Sequence, residues 1–224
     1  MSEPSPRRVV IVEDRPLQLA LLCAAVEAAS NATVTARCAS GDDLRRLLAT
    51  ADAQAPDLLL LDLHLPDGSG LDLLPEARRR WPDLAVLVVS SLNDERSVIE
   101  AIRRGASGFL VKSSDRPALT TAIEEALAGS CPVSPSIARH LIRELRRPET
   151  AGEAPADAET THLTSRESQV LHCMAAGQSY AEAAADLGVT VSTVEAHIRN
   201  LYRKLEAHSK VQAVLSARKR GLLR

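Results

Sequence analysis

Aromatic residues are nearly absent: of 224 residues, one is Phe, one is Trp and two are Tyr. The cores must therefore be built from Leu, Val, Ile and Ala, and a base-stacking surface for single-stranded nucleic acid has almost nothing to work with. Cysteine is sparse as well. Cys23, Cys38, Cys131 and Cys173 lie far apart without any C-x-x-C pair, which argues against a zinc site or a disulfide framework and leads to the expectation of a cytoplasmic protein. No apolar run approaches the ~20 residues that span a bilayer, so no membrane association is expected. The opening MSEPSPRRVV mixes acids and bases and does not read as a signal peptide. What remains is an ordinary globular composition, 45% hydrophobic and 25% charged, which excludes wholesale disorder.

The length exceeds one domain of roughly 100–150 residues and suits two. The net charge of −2 hides an asymmetry, because residues from His162 onward sum to +4 and the preceding residues to −6. An acidic front and a basic back suggest different partners, with nucleic acid a candidate for the second. Between them, residues 148–161 (PETAGEAPADAETT) contain no large apolar residue and read as a flexible linker.

Before the linker, apolar runs at 9–12, 32–38, 58–61, 84–89 and 108–111 read as five buried strands. Helical spacing follows each over Leu17–Ala29, Asp42–Ala51, Gly70–Arg80, Asp94–Arg104 and Pro117–Ala128. This alternation predicts an α/β fold: a doubly wound, five-stranded parallel sheet covered on both faces. A further helix is expected over Ser134–Arg147. After the linker every segment reads as helix: Ser165–Ala176 opened by the Thr164/Glu167 capping box, Ser179–Leu187, a helix from Thr190 or Ser192, and Ser209–Arg220. The tight turn L-G-V-T between two of them is a helix-turn-helix pattern, so the C-terminal unit is expected to be all-α.

Ligands of an open parallel sheet bind beyond the carboxyl ends of its strands. There the sequence places Glu13, Asp14, Asp62, Ser90 and Lys112. Crowded carboxylates repel unless a cation sits among them, and oxygen-only ligands suit Mg²⁺. A hydroxyl and a lysine beside such a metal can receive phosphoryl oxygens, and a carboxylate can itself be the nucleophile. Taken singly, each residue is better explained as a loop cap or a solvated charge. Five on one edge are not. A dinucleotide enzyme is disfavoured because Asp67-Gly68-Ser69-Gly70 lacks a third glycine at Leu73 and follows the third strand. No G-K-[ST] marks a P-loop, and a phosphatase would want an acid where His64 stands. The other reading, from a different class, is a purely structural or protein-binding sheet unit whose helical tail binds no DNA.

The segments VVIVED, LLLLDLHLPDGSGLDLL, VLVVSS and GASGFLVK resemble the receiver domain of two-component response regulators, over residues 7–129. The resemblance implies a flavodoxin-like fold with Asp62 as phosphoacceptor. Glu13, Asp14, Asp62 and the backbone carbonyl of His64 would hold Mg²⁺, and the His64 imidazole would face solvent. Ser90 and Lys112 would contact the phosphoryl group, with Phe109 at the aromatic switch position. Glu13 departs from the commoner Asp.

Residues 162–224, with LTSRESQVL, TVSTVEAHIRNLYRKL and AVLSARKRGLL, resemble the LuxR-type helix-turn-helix module; residues 130–161 are helix and linker. The NarL/FixJ arrangement implies a recognition helix over about Val191–Glu206. Thr193, Glu195, Ala196, His197, Arg199, Asn200, Arg203 and Lys204 would be the DNA contacts, Lys204 holding phosphate. Three departures bear on affinity: Ala183 for isoleucine, Glu206 for glycine, and Glu195 for lysine, where an acid could accept from a cytosine amino group.

The resemblance implies double-stranded promoter DNA, a sensor histidine kinase and a second copy of the chain as partners, and leaves RNA polymerase open as a further one. No enzyme is implied beyond self-catalysed phosphoryl transfer and slow autodephosphorylation. The alternative is a phosphorylation-independent DNA-binding regulator whose receiver serves dimerisation only. Coupling between the units could run by charge masking or by pairing. The stripe Val211, Val214, Leu215 on the last helix leans toward pairing.

Overall fold

The computed structural model describes residues 5–50, 53–91, 95–112, 114–133, 163–207 and 209–223. The helix expected over Ser134–Arg147 and the linker over 148–161 lie outside the described residues. In the N-terminal unit the strands β1 (Arg7–Val12), β2 (Ala32–Cys38), β3 (Leu58–Leu61), β6 (Ala85–Ser90) and β7 (Gly108–Val111) form one sheet. Its order is β2-β1-β3-β6-β7, with every pairing parallel. A two-residue hairpin, β4 (His64–Leu65) with β5 (Gly68–Ser69), stands apart from it. The helices are α1 (Pro16–Ala28), α2 (Gly41–Ala49), α3 (Gly70–Arg80), α4 (Glu95–Arg103) and α5 (Arg116–Leu127).

Side chains alternate across a strand with period two, and the two cores show it. Val10, Val12, Leu59, Leu61, Val86, Val88, Phe109 and Val111 join Leu73, Leu74 and Ile102 on the α2–α3–α4 side. Val9, Ile11, Leu58, Leu60, Leu87, Val89 and Leu110 join Leu22, Val26, Leu119 and Ile123 on the α1–α5 side. Being covered on both faces explains why the run at Leu58–Leu61 is entirely leucine. Each of the four is fully buried, worth about 1.5–3 kcal/mol relative to an exposed position.

The C-terminal unit contains α6 (Ser165–Ala175), α7 (Tyr180–Leu187), α8 (Val191–Leu205) and α9 (Lys210–Lys219). Thr164 caps α6 with the expected capping box, and Ser179 with Glu182 supplies a second box on α7. Gly188 takes the left-handed conformation that ends α7 (φ 64°), and Thr190 caps α8 through the amide of Thr193. Val170, Leu171, Met174, Val194, Ile198, Leu201 and Leu205 make its own core.

The two units touch. Val211 and Leu215 of α9 pack against the N-terminal core beside α4, and Gln212 Nε2 donates to the carbonyl of Arg103 at 3.3 Å. The amide of Tyr180 donates to the carbonyl of Ala128 at 3.3 Å. The Tyr180 ring lies against Gly129 (φ 79°), where a Cβ would come within 2.4 Å of it. Thus the stripe read as suited to pairing with a second copy is, at Val211 and Leu215, seated on the chain's own N-terminal unit.

Candidate functional site: an acid pocket and a helix of the second unit

Four strand ends build the pocket. Glu13 and Asp14 follow β1, Asp62 follows β3, Ser90 is the last residue of β6, and Lys112 follows β7. Glu13, Asp62 and Ser90 are buried, while Asp14 is exposed. One carboxylate oxygen from each of the three acids lies within 4.8 Å of the others. Lys112 Nζ bridges two of them, 2.7 Å from Asp62 Oδ2 and 2.9 Å from Glu13 Oε1. Burial lifts the Glu13 carboxyl above its ordinary value; Lys112 pulls it back, and the charge of Asp62 adds to the rise.

A glycine holds the floor. At Gly70 a Cβ would lie 2.1 Å from the carbonyl oxygen of Asp62, so only glycine lets α3 begin against the backbone of the phosphoacceptor candidate. Its amide donates to Leu63 O at 2.9 Å. Asp67 ties the same loop to α2 by accepting from the amides of Gly41 (2.9 Å) and Asp42 (2.7 Å). These bonds hold its carboxyl below the usual range.

His64 faces outward with 66% of its side chain exposed, as expected, but it is not idle. Its Nδ1 lies 3.2 Å from Ser90 Oγ, and its amide donates to Asp62 Oδ1 at 3.2 Å. Phe109 is buried and faces the α3–α4 side. The donor set is all oxygen and lies at the open edge of the sheet, which fits a hard divalent cation such as Mg²⁺.

The candidate DNA contacts lie on α8. Arg199 and Arg203 are exposed; Thr193, Glu195, Ala196, His197, Asn200 and Lys204 are half-buried. Thr193 Oγ1 is engaged with the cap residue Thr190 at 2.8 Å, and Asn200 Oδ1 accepts from Arg203 at 2.9 Å. Lys204 Nζ lies 2.6 Å from the buried Glu167 of α6, so it braces the module from within. Ala183 is buried in the module's core. Glu206, in place of glycine, ends α8 in the left-handed conformation at φ 52°.

Helix α8 is turned toward the sheet unit. A cavity of about 560 Å³ is lined by Glu195, Ile198, Arg199 and Tyr202 on one side and by Arg78, Trp81, Pro82 and Asp83 on the other. A second cavity sets Arg203 and Glu206 against the same Pro82–Asp83 turn. Arg78, at the end of α3, is a buried charge that sequence reading missed. It stands in the run Arg78–Arg80, which reads as a solvated helix end.

Acids and a lysine gathered at one edge of a parallel sheet, with a helix-turn-helix unit docked behind, define a two-domain signalling regulator. The family description "Response regulator receiver domain" matches residues 9–124, and "Bacterial regulatory proteins, luxR family" matches residues 161–217. The chain is 30% identical to the nitrate/nitrite response regulator protein NarL of Escherichia coli (strain K12), covering 96% of each. It is 33% identical to the probable transcriptional regulatory protein NarL of Mycobacterium tuberculosis, covering 100% of each. A LuxR-family two-component response regulator from Aurantimonas superposes with a TM-score of 0.57 at 29% identity, over 64% of this chain and 100% of that one. The chain belongs to the response regulators that join a receiver to a LuxR-type DNA-binding domain. Among the described residues no helix is long and apolar enough to cross a membrane.

Proposed function

We propose that Asp62 is the phosphoacceptor and that the described arrangement is the resting state of a transcriptional switch. The observation that carries this is Lys112, whose ammonium joins Asp62 and Glu13 inside a three-carboxylate pocket. An Asp62 oxygen attacks the phosphorus of a phosphohistidine on a sensor kinase. The new O–P bond forms as the N–P bond breaks, and the electron pair returns to the imidazole nitrogen. Lys112 and the Ser90 hydroxyl then bond the phosphoryl oxygens. Glu13, Asp14, Asp62 and the carbonyl of His64 would hold Mg²⁺, which supplies positive charge to those oxygens when bound.

The output is double-stranded promoter DNA, bound by the 162–224 unit as a dimer through Arg199, Asn200, Arg203 and their neighbours on α8. A fold neighbour sharing 20% identity is titled "Structure of two RcsB dimers bound to two parallel DNAs", which describes that protein. At rest, α8 faces the 7–129 unit and the stripe of α9 is covered by it. Arg199 and Arg203 are thereby masked: though exposed to water, they open onto clefts against Pro82 and Asp83 where a duplex has no room. The alternative, a receiver used only for dimerisation, leaves the lysine-bridged acid pocket without a role. Acetyl phosphate with Mg²⁺ should add one phosphoryl mass to the chain, and Asp62→Ala should abolish it. Equal labelling of the variant overturns the assignment. Asp14→Ala should lose Mg²⁺ affinity, and an unchanged Mg²⁺ titration would contradict its role as a ligand.

A further inference from the structure

A buried charge lines the cavity between the two units, and among the described residues no acid lies at ion-pair distance from it; Asp83, on the same cavity, acts on it from farther away. The charge is that of Arg78, only 6% exposed. Its Nη1 donates to the carbonyl of Pro82 at 3.3 Å; its Nη2 donates to the carbonyl of Gly105 at 2.7 Å and to Ser107 Oγ at 3.1 Å. All three acceptors are neutral, and the buried Nε has none. Across the cavity from the guanidinium the C-terminal unit places Tyr180 and Tyr202, the only tyrosines in the chain. Arg78, Tyr180 and Tyr202 line one cavity.

Burying an ion without a counter-ion is costly, and neutral acceptors return only part of the lost hydration. Burial holds the Arg78 guanidinium down to about 10, below its ordinary range. A cation over an aromatic ring offsets part of that cost at a desolvated site, but an orphaned Nε and a depressed guanidinium say that burial wins. The cavity is already partly open to solvent, and lifting the tyrosines would widen it and let water reach the charge more fully. Arg78 is also tied to the switch strands. Ser107 Oγ accepts from the amide of Val86 at 3.2 Å, so the residue that binds Arg78 joins β6, which ends in Ser90, to the segment entering β7, which leads to Lys112.

We propose that Arg78 is a built-in release element: an unpaired charge kept under the tyrosine pair, so that closure stays marginal and phosphorylation can undo it. This rests on the masking reading above. The direction runs against the usual expectation for an interface residue, because removing Arg78 should tighten closure. The test uses the full-length, unphosphorylated chain and a short duplex of random sequence, read by fluorescence anisotropy at fixed salt. Arg78→Met should weaken basal binding about fivefold or more. Arg78→Gln, which keeps a donor toward Gly105, should weaken it too. Arg78→Lys, which keeps the charge, should bind as wild type or better, and Tyr180→Ser should bind more tightly. Labelling by acetyl phosphate checks that each variant is folded at Asp62. Tighter or unchanged binding by the folded neutral variants overturns the proposal, as does weakening by Arg78→Lys equal to that of Arg78→Met. If Tyr180→Ser and acetyl phosphate both raise binding while the neutral variants do not lower it, masking stands and only the role of Arg78 falls. If neither raises binding, masking itself is wrong.

Discussion

Gly129→Ala perturbs closure without touching the acid pocket or the DNA-reading helix. Gly129 follows α5 and has φ 79°, and an added Cβ would meet three atoms of the Tyr180 ring at 2.4 Å. Two costs arise, and they act differently. The left-handed conformation costs alanine about 1–2 kcal/mol, but that cost is present in the closed and open states alike and cancels. The clash with Tyr180 exists only when the units are docked. Overpacking of this kind costs about 1–3 kcal/mol, because Tyr180 also donates its amide to Ala128 and cannot swing away freely. The closed state should therefore lose about 5- to 150-fold in population relative to the open one. The assay is anisotropy of the unphosphorylated full chain on random duplex, with the 162–224 fragment setting the ceiling. Gly129→Ala should approach that ceiling, and acetyl phosphate should then add little. Unchanged DNA binding, with Asp62 labelling intact, would refute the docked geometry as the source of inhibition.

Two further expectations concern the interior of each unit. Gly70→Ala should cost about 3 kcal/mol or more, because the new Cβ meets the immovable backbone oxygen of Asp62; full phosphoryl labelling and an unshifted melting temperature would contradict it. In the output module, burial alone would raise the Glu167 carboxyl, but bonds from Lys204 and Thr164 outweigh it and hold it below its ordinary 4.5. An acid depressed in the folded state stabilises above its unfolded pKa, and that contribution is lost as pH falls through the lower folded value. Glu167→Gln should therefore cost about 1–3 kcal/mol at neutral pH and progressively less in acid; melts from neutral to acid pH that stay parallel to wild type would count against it.

Strands β1, β3, β6 and β7 were legible because each holds a short apolar run suited to full burial, whereas β2, read as buried too, is an edge strand whose residues alternate between exposed and half-buried. Most helices were legible by a Ser, Thr or Asp cap, but α1 begins after Arg15 without one. The five pocket residues could be found by listing polar groups at strand ends, since sheet topology alone brings those ends together. The hairpin of His64–Leu65 with Gly68–Ser69 was not foreseen, since two-residue strands carry no periodicity. Ser179 with Glu182 shows the same S-x-x-E spacing as a capping box and was readable but passed over. Lys204 and Arg78 are different. One finds its acid 37 residues away, and the other finds its acceptors at Gly105 and Ser107, 27 and 29 residues on. Neither partner is encoded near the residue, so a basic side chain at a helix end reads as solvated. Glu206 shows the converse: the usual glycine marks a left-handed end, and the backbone keeps that conformation although glutamate pays a steric cost of about 1 kcal/mol.

Charge asymmetry alone, −6 facing +4, would draw the two units together over a Debye length of about 10 Å at 0.1 M salt. The contacts that join them are of another kind. A backbone amide meets the end of α5, a glutamine amide meets the end of α4, a ring lies on a glycine, and Val211 with Leu215 packs beside α4. Contacts of this sort depend on position to within an ångström, whereas a diffuse attraction between charged surfaces does not. A small displacement of α4, the helix that follows Ser90 in the chain, would therefore disturb the two contacts made beside it, those of Gln212 and of Val211 with Leu215. On the function proposed above, the stripe on α9 would then be free to pair with a second copy. Masking and dimerisation would be successive uses of one face: Val211 and Leu215 cannot meet a partner while they pack against the N-terminal core, so undocking would come first.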